Sequence, residues 1–239
     1  VYTCAVASQD DKQREYFIIE YDQKILSKLN AVHDLVHVTD FARTTWQLSG
    51  PDDTKIELCL DLGEVKTDSA NLPIQEIELE LKQGDASHIY QVALDLLDAG
   101  IGLRLENKSK AQRGYSLHHP EKVQAVAYEL PELKPQDMLQ DALPRLVQQC
   151  IETLQDNEDA VILNRDAQAI QHVFNSLEHL EFSLSLCAKF DTRADSSLQS
   201  LQAFQQTTSP TNIVDNLQSP TYTRMILSLS HWLYLASTH

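Results

Sequence analysis

The sequence has few cysteines, and none of them lies in a close pair. Its four cysteines are Cys4, Cys59, Cys150 and Cys187. A closed zinc site takes ligands in CxxC-like or CxxH-like pairs, so this spacing does not predict one. Cys59 and Cys187 lie in apolar runs and are predicted to be core residues. Cysteines this sparse are typical of a reducing cytoplasm, which is where we expect the protein.

Long apolar runs and positive charge are also lacking. No run approaches the ~20 residues that a membrane-spanning helix needs, so no membrane partner is expected. The chain has 19 Lys and Arg against 35 Asp and Glu, a formal net charge of -16. Because phosphate backbones are held by clustered Lys and Arg, this charge argues against a nucleic-acid partner. A small anion could still bind at a local basic site or through a bound cation.

The residue pattern changes from strand-like to helical after about residue 123, which predicts an α+β fold with domains at 1–123 and 130–239. Turn residues at 49–53 predict a hairpin from Phe41 to Val65. The other elements predicted in the first domain are strands at 14–21 and 72–85, helices at 24–36 and 86–100, and strand and loop at 102–119. The second domain is predicted to hold helices at 135–157, 165–190, 195–206 and 222–236, the last of them after a polar linker.

Three glutamates alternate along the strand LPIQEIELELKQGD. Glu76, Glu78 and Glu80 point to one face, because side chains alternate along a strand. Like charges aligned in this way carry a cost unless water solvates them or a positive group neutralises them. From this segment alone a solvated outer face is the simpler interpretation, and a face turned toward a cation is the alternative.

A second strand offers carboxylates in the same pattern. In IELCLDLGEVK, Glu57 and Asp61 are four residues apart and share a face, whereas Ile56, Leu58 and Leu60 take the other. Oxygen ligands on rigid strands suit a hard cation such as Mg²⁺ or Mn²⁺.

A basic segment completes the pattern. KSKAQRGY places Lys108, Lys110 and Arg113 within six residues, and Arg14 and Arg43 are further basic candidates. Carboxylates, a divalent metal ion and basic side chains are the parts of a phosphoryl-transfer site, where the ion bridges phosphate oxygens and Lys and Arg hold the rest. The sequence has no Walker A motif, so a P-loop enzyme is not predicted.

The order of these segments resembles a known family. KIELCLDLGEVK, PIQEIELELKQGD, an amphipathic helix and LRLENKSKAQRGYSL follow one another as in the CYTH domain of triphosphate tunnel metalloenzymes. The chain is most similar to bacterial inorganic triphosphatases in which a CYTH domain precedes a helical CHAD domain. The resemblance covers roughly residues 1–119, and the best CHAD-like stretch in the later helices is PTYTRMILSLSHWL.

The resemblance implies a fold and a set of roles. It implies a closed antiparallel β-barrel of about eight strands, with a polar tunnel into which the glutamate row faces. It implies that Asp61, Glu76 and Glu78 bind Mg²⁺ or Mn²⁺, with Glu57 and Glu80 as further ligands. It implies that Arg43, Lys110 and Arg113 bind the substrate, and Arg14 and Lys66 are further substrate-binding candidates.

The sequence departs from the family pattern in three places. The family's first strand, ExExK, is not found, which predicts that Val1 lies about three strands into the fold. Ala5, in VYTCAV, stands where the family has a lysine. The helical domain is acidic, whereas CHAD domains that bind polyphosphate do so through basic helices.

The residues and the resemblance together predict a metal-dependent phosphohydrolase. It would hydrolyse inorganic triphosphate, a small-molecule substrate, by attack of water on the terminal phosphorus. The alternative is a non-catalytic module that binds triphosphate or polyphosphate, or that binds another protein. Ala5 is the feature that favours this alternative.

Overall fold

The computed structural model describes residues 3–15, 38–67, 70–118 and 123–238, with the backbone alone for residues 3–15 and 118. The chain divides into two compact units. One unit comprises residues 1–89 and 106–122 and is built on a β-sheet; the other comprises residues 90–105 and 123–239 and is helical. The α+β class predicted from the sequence is therefore confirmed. The strand predicted at 14–21 lies mostly outside the described residues, and the helix predicted at 24–36 lies wholly outside them.

The sheet has four antiparallel strands in the order of the chain. They are β1 (Thr3–Glu15), β2 (Val38–Ser49), β3 (Lys55–Lys66) and β4 (Asn71–Gln83). Within the described residues this sheet is open, so the closed barrel expected from the sequence is not found there. The barrel that the resemblance implies has eight strands, and the four described strands are too few to close one of that size.

The predicted hairpin is confirmed as β2, a tight turn and β3. Gly50 N–H donates to Thr54 O at 2.9 Å, and Thr54 N–H donates to Pro51 O at 2.9 Å. Asp52 and Asp53 have φ of 52° and 56°. Aspartate tolerates this left-handed conformation better than most residues, because its short polar side chain can hydrogen-bond locally.

One glycine allows β2 and β3 to approach closely. Gly63 lies opposite Phe41 in the register. A methyl group at Gly63 would overlap the carbonyl oxygen of Asp40 and the Cα of Phe41. Phe41 is buried beside Val65 and Ile74, in the small apolar cluster of the sheet unit. Only a residue without a side chain leaves this packing undisturbed.

Two helices follow β4. The first, α1 (Ser87–Asp98), confirms the helix predicted at 86–100, and Gly100 ends it with a φ of 82°. The second, α2 (Lys110–His118), corrects the prediction of strand and loop for this stretch. Its start is a capping box, because Gln112 N–H donates to Ser109 Oγ at 3.2 Å and Ser109 N–H donates to Gln112 Oε1 at 2.8 Å.

The helical unit continues with a helical hairpin and three further helices. Asp166 begins the second helix of the hairpin, accepting hydrogen bonds from the amides of Gln168 and Ala169. The polar linker predicted before the last helix holds a short helix. The helices are α3 (Leu139–Asn164), α4 (Ala167–Cys187), α5 (Ala194–Thr207), α6 (Ile213–Leu217) and α7 (Pro220–Ser237).

The core of the helical unit is a continuous apolar cluster. Leu154, Leu180, Leu201 and Met225, from α3, α4, α5 and α7, are fully buried in it. Cys150 and Cys187 lie in the same cluster as free thiols. Of the helices in the described parts of the chain, none is long and apolar enough to span a bilayer.

One carboxylate is buried in this helical core. Glu158 is 5% exposed and accepts a hydrogen bond from the Tyr222 hydroxyl at 2.8 Å. Arg104 lies farther away, with its Nη2 3.2 Å from Glu158 Oε2. Burial raises the pKa of Glu158 to about 7, although Tyr222 and Arg104 act in the opposite direction.

Gly63→Ala should destabilise the sheet unit by about 1–3 kcal/mol, because the added methyl group meets backbone atoms that cannot move aside. Hydrogen exchange measured by mass spectrometry should show faster exchange in peptides from β2 and β3. Gly102→Ala is the matched control, since a methyl group at Gly102 would meet nothing within 4 Å. Equal exchange in the two variants would contradict this account of β2–β3 packing.

Glu158→Gln should remove a pH dependence of the helical unit. Between the ordinary pKa of 4.5 and about 7, folded Glu158 keeps a proton that the unfolded chain has lost, so stability falls as the pH rises through this range. The effect is on the order of 3 kcal/mol.

Urea unfolding, followed by the helical circular dichroism signal at about pH 5 and about pH 8, measures this dependence. The variant should lose less stability than the wild type between the two pH values. Glu152→Gln, at an exposed position of α3, controls for the loss of one carboxylate. A wild-type slope retained in Glu158→Gln would show that Glu158 titrates normally.

Candidate metal centre

A row of three charged residues runs across strands β2, β3 and β4. Asp61 on β3 lies opposite Arg43 on β2 and opposite Glu76 on β4. Directly opposite residues of antiparallel strands point to the same side of the sheet, so the three side chains share one face, which we call the polar face. Glu78 lies one row further along on the same face, opposite Cys59. Asp61, Glu76 and Glu78 form what we call the carboxylate cluster.

Helix α2 adds two basic side chains to this face. Lys110 is the first residue of α2 and Arg113 follows one turn later, so both lie on the same side of the helix. The capping box fixes the start of the helix and hence the position of Lys110. Lys110 and Arg113 are only 10% and 12% exposed, because α2 packs against β2, β3 and β4.

Each carboxylate of the cluster offers one oxygen to Lys110. The Lys110 ammonium lies 2.7 Å from Asp61 Oδ2 and 2.5 Å from Glu78 Oε1, and it also contacts Glu76 Oε1. Three oxygens from two strands therefore converge on a single nitrogen.

The second oxygen of each carboxylate meets an arginine. Arg43 donates from Nε to Asp61 Oδ1 at 2.7 Å and from Nη2 to Glu78 Oε2 at 2.6 Å. Its Nη2 also reaches Asp61 Oδ2 at 2.6 Å. Arg113 pairs with Glu76 Oε2. Three negative and three positive charges are thus combined in one hydrogen-bonded group.

Burial and ion pairing act in opposite directions on the pKa values of Asp61, Lys110 and Arg43. Asp61 is fully buried, which by itself would raise its pKa, but hydrogen bonds from Arg43 and Lys110 outweigh this and lower the pKa below its usual value. Burial would also lower the pKa of Lys110, yet its hydrogen bonds to the three carboxylates raise the pKa above its usual value. The hydrogen bond to Asp61 raises the pKa of Arg43. All three groups are charged at neutral pH.

An aromatic ring lies under the basic side chains. The Phe41 ring centroid is 4.9 Å from Lys110 Nζ and 5.5 Å from the Arg43 guanidinium carbon. The negative face of an aromatic ring attracts such cations. Gly63, which permits the burial of Phe41, therefore also helps to hold the two basic groups in place.

The next row of the polar face is a second ionic group. Glu57 lies opposite Glu80, and Lys82 bridges them at 3.1 Å and 2.8 Å respectively. Gln47 donates a further hydrogen bond to Glu57 at 2.7 Å. Hydrogen bonds from Lys82 and Gln47 lower the pKa of Glu57. The structure thus gives Glu57 and Glu80 a common partner that is separate from Lys110.

Lys66 is not brought to the carboxylate cluster, and the side chain of Arg14 lies outside the described part of the structure. Lys66 ends β3, alternates to the face opposite Asp61 and pairs with Glu64 at 2.7 Å. Arg14 lies in β1 opposite Asp40, and only its backbone is described. Among the side chains that the structure describes, the basic residues at the cluster are Arg43, Lys110 and Arg113.

The carboxylate cluster has the chemistry of a divalent-metal site. One oxygen each from Asp61, Glu76 and Glu78 lies within 4.8 Å of the others. Carboxylate oxygens held on two adjacent strands are the ligands that Mg²⁺ and Mn²⁺ prefer. The convergence of all three on the Lys110 ammonium shows that they accommodate a cation together.

Three residues of the polar face were missed from the sequence. Lys82 alternates in step with Glu76, Glu78 and Glu80, so strand periodicity alone would have placed it with them. Gln47 and Phe41 also alternate in step with Arg43 along β2, but an uncharged side chain gives no signal of its own for an ionic group. The S-x-x-Q pattern at Ser109 would have predicted the start of α2.

Comparison with known proteins gives two similarities. Residues 8–115 match the family model of the CYTH domain, which includes every residue of the carboxylate cluster and its basic partners. A stretch of 79 residues is 35% identical to a protein described as inorganic triphosphatase from Haemophilus influenzae. That stretch covers 33% of this chain and 22% of the relative, so the chain spans about a fifth of the length of the curated protein that it matches.

Proposed function

We propose that the protein hydrolyses inorganic triphosphate in a metal-dependent reaction. The observation that carries this proposal is the assembly of three carboxylates and three basic side chains on one face of a sheet. The match to the CYTH domain and the partial similarity to an inorganic triphosphatase support the choice of substrate.

The acidic residues of the site would bind the metal ion, and the basic residues would bind the phosphate groups. Asp61, Glu76 and Glu78 would hold Mg²⁺ or Mn²⁺, which neutralises phosphate charge and polarises the terminal phosphorus toward water. Lys110 and Arg113 would bind the remaining phosphate oxygens. Arg113 Nε is buried and has no hydrogen-bond partner within the described part of the chain, so it remains available to an anion.

The helical unit is proposed to be a CHAD-like domain. The stretch PTYTRMILSLSHWL, which carries the resemblance, forms most of α7 and contributes Met225 and Leu229 to the core. Its buried role is structural, so no polyphosphate binding is proposed for it.

Binding without hydrolysis is the second candidate function. Ala5, where the family has a lysine, lies in β1 opposite Gln47, next to the row that holds Glu57 and Lys82. A protein that lacks one positive group could keep its affinity for triphosphate and lose turnover. Titration calorimetry with triphosphate and Mg²⁺, together with an assay of released phosphate, separates the two functions. Both functions include binding of triphosphate, but only hydrolysis releases phosphate.

Glu78→Gln should lower metal-dependent phosphate release from inorganic triphosphate by roughly a hundredfold, since the amide is neutral and binds a hard cation weakly. Phosphate release measured in Mg²⁺ and in Mn²⁺ tests this expectation. Glu152→Gln, on an exposed face of α3, is the matched control and should release phosphate at the wild-type rate.

Undiminished release in Glu78→Gln would refute the assignment of the carboxylate cluster as the active site. Tight triphosphate binding by the wild type, with no release in either metal, would establish the binding function instead.

A further inference from the structure

We infer that Lys110 occupies the metal position as an internal counter-ion, so that metal and anionic substrate bind cooperatively. The inference rests on the proposed function for the identity of the anion. The placement of the Lys110 ammonium among three carboxylates is its structural basis.

The Lys110 ammonium is where a shared cation would be bound. It contacts one oxygen from each member of the carboxylate cluster, with Asp61 Oδ2 at 2.7 Å and Glu78 Oε1 at 2.5 Å. These are the three side chains whose oxygens gather closely enough to hold one ion. A divalent ion bound through these three oxygens would occupy the position of the ammonium nitrogen, so it must displace the ammonium.

The arginines would keep the ligands in place during such an exchange. Arg43 holds Asp61 Oδ1 and Glu78 Oε2, while Arg113 holds Glu76 Oε2. None of these contacts involves Lys110. The carboxylates thus stay oriented when Lys110 leaves, in the way that outer hydrogen bonds orient metal ligands elsewhere.

The Lys110 side chain is suited to leave the carboxylate cluster when a metal ion binds, whereas the Arg43 side chain is suited to stay. Lys110 is a compact ammonium on a flexible four-carbon stem, at the first position of α2. Arg43 is a planar donor that binds both oxygens of the fully buried Asp61. Displacing Lys110 requires rotation of one side chain, whereas displacing Arg43 would leave a buried carboxylate without its main partner.

Charge balance explains why the two ligands should assist each other. Among the described side chains of this group, three carboxylates and three basic groups sum to zero, so a divalent ion alone would add two positive charges to it. An anion alone would have to compete with the carboxylates for Lys110. Bound together, the positive ion and the polyanion offset each other's charge, and the released ammonium pairs with the phosphate oxygens. Such coupling is reciprocal and is typically about 5–150-fold in affinity.

The first test is the affinity for Mn²⁺ alone, measured by electron paramagnetic resonance of the free ion. Lys110→Met keeps the length of the side chain and removes its charge, so it should bind Mn²⁺ about tenfold or more tightly than the wild type. Lys189→Met, at an exposed position after α4, controls for the loss of one positive charge and should bind as the wild type does. Equal or weaker binding by Lys110→Met would overturn the inference.

The second test uses the wild-type protein and does not depend on the folding of a variant. Acylation of lysines by N-acetoxysuccinimide, mapped by peptide mass spectrometry, reports how accessible the Lys110 amine is. Mn²⁺ alone should speed acylation of Lys110 severalfold, with Lys189 unchanged. Inorganic triphosphate added with Mn²⁺ should then slow it again. Acylation of Lys110 that Mn²⁺ does not alter would show that the ammonium stays in place.

These outcomes are distinguishable from a failure of the proposed function. If the wild type releases no phosphate but Lys110→Met binds Mn²⁺ more tightly, hydrolysis is refuted and the exchange at Lys110 is supported. If the wild type releases phosphate but Mn²⁺ affinity does not depend on Lys110, hydrolysis is supported and the exchange is refuted.

Discussion

The pairing of buried Asp61 with Arg43 and Lys110 is the interaction on which the sheet unit depends. A carboxylate without exposure to water is costly unless cations and hydrogen bonds compensate it, and here Arg43 binds both of its oxygens. Lys110 can join only because α2 packs across the sheet with a fixed start at Ser109. The contacts that compensate the buried charge of Asp61 therefore also bring together the residues of the candidate site.

The close approach of the backbone at Gly63 links these ion pairs to the packing of the sheet. Close approach of β2 and β3 buries Phe41, and the Phe41 ring then lies beside Lys110 and Arg43. Packing and electrostatics consequently support each other at this point, because the aromatic ring fills the apolar cluster and attracts the cations above it.

Two carboxylates are buried among the described residues, and their pKa values are shifted in opposite directions for a physical reason. Asp61 has two cations at hydrogen-bond distance, and its pKa is lowered. Glu158 has a neutral hydroxyl and a more distant guanidinium, so the cost of burial prevails and its pKa is raised. Burial alone thus does not decide whether a carboxylate is charged; the number and distance of its cationic partners do. The surroundings of Asp61, with two cations at hydrogen-bond distance, suit a cation site. The surroundings of Glu158 suit an apolar core.

The sequence by itself determined the α+β class, the β2–β3 hairpin, the main helices and the shared face of Glu76, Glu78 and Glu80, because these follow from local periodicity and turn chemistry. Only the tertiary structure decided which basic residues meet those carboxylates. Arg43 and Lys110 reach Asp61 through strand register and helix packing. It also decided that Glu57 and Glu80 share Lys82 instead. Such choices depend on contacts between residues distant in the chain, which local patterns do not encode.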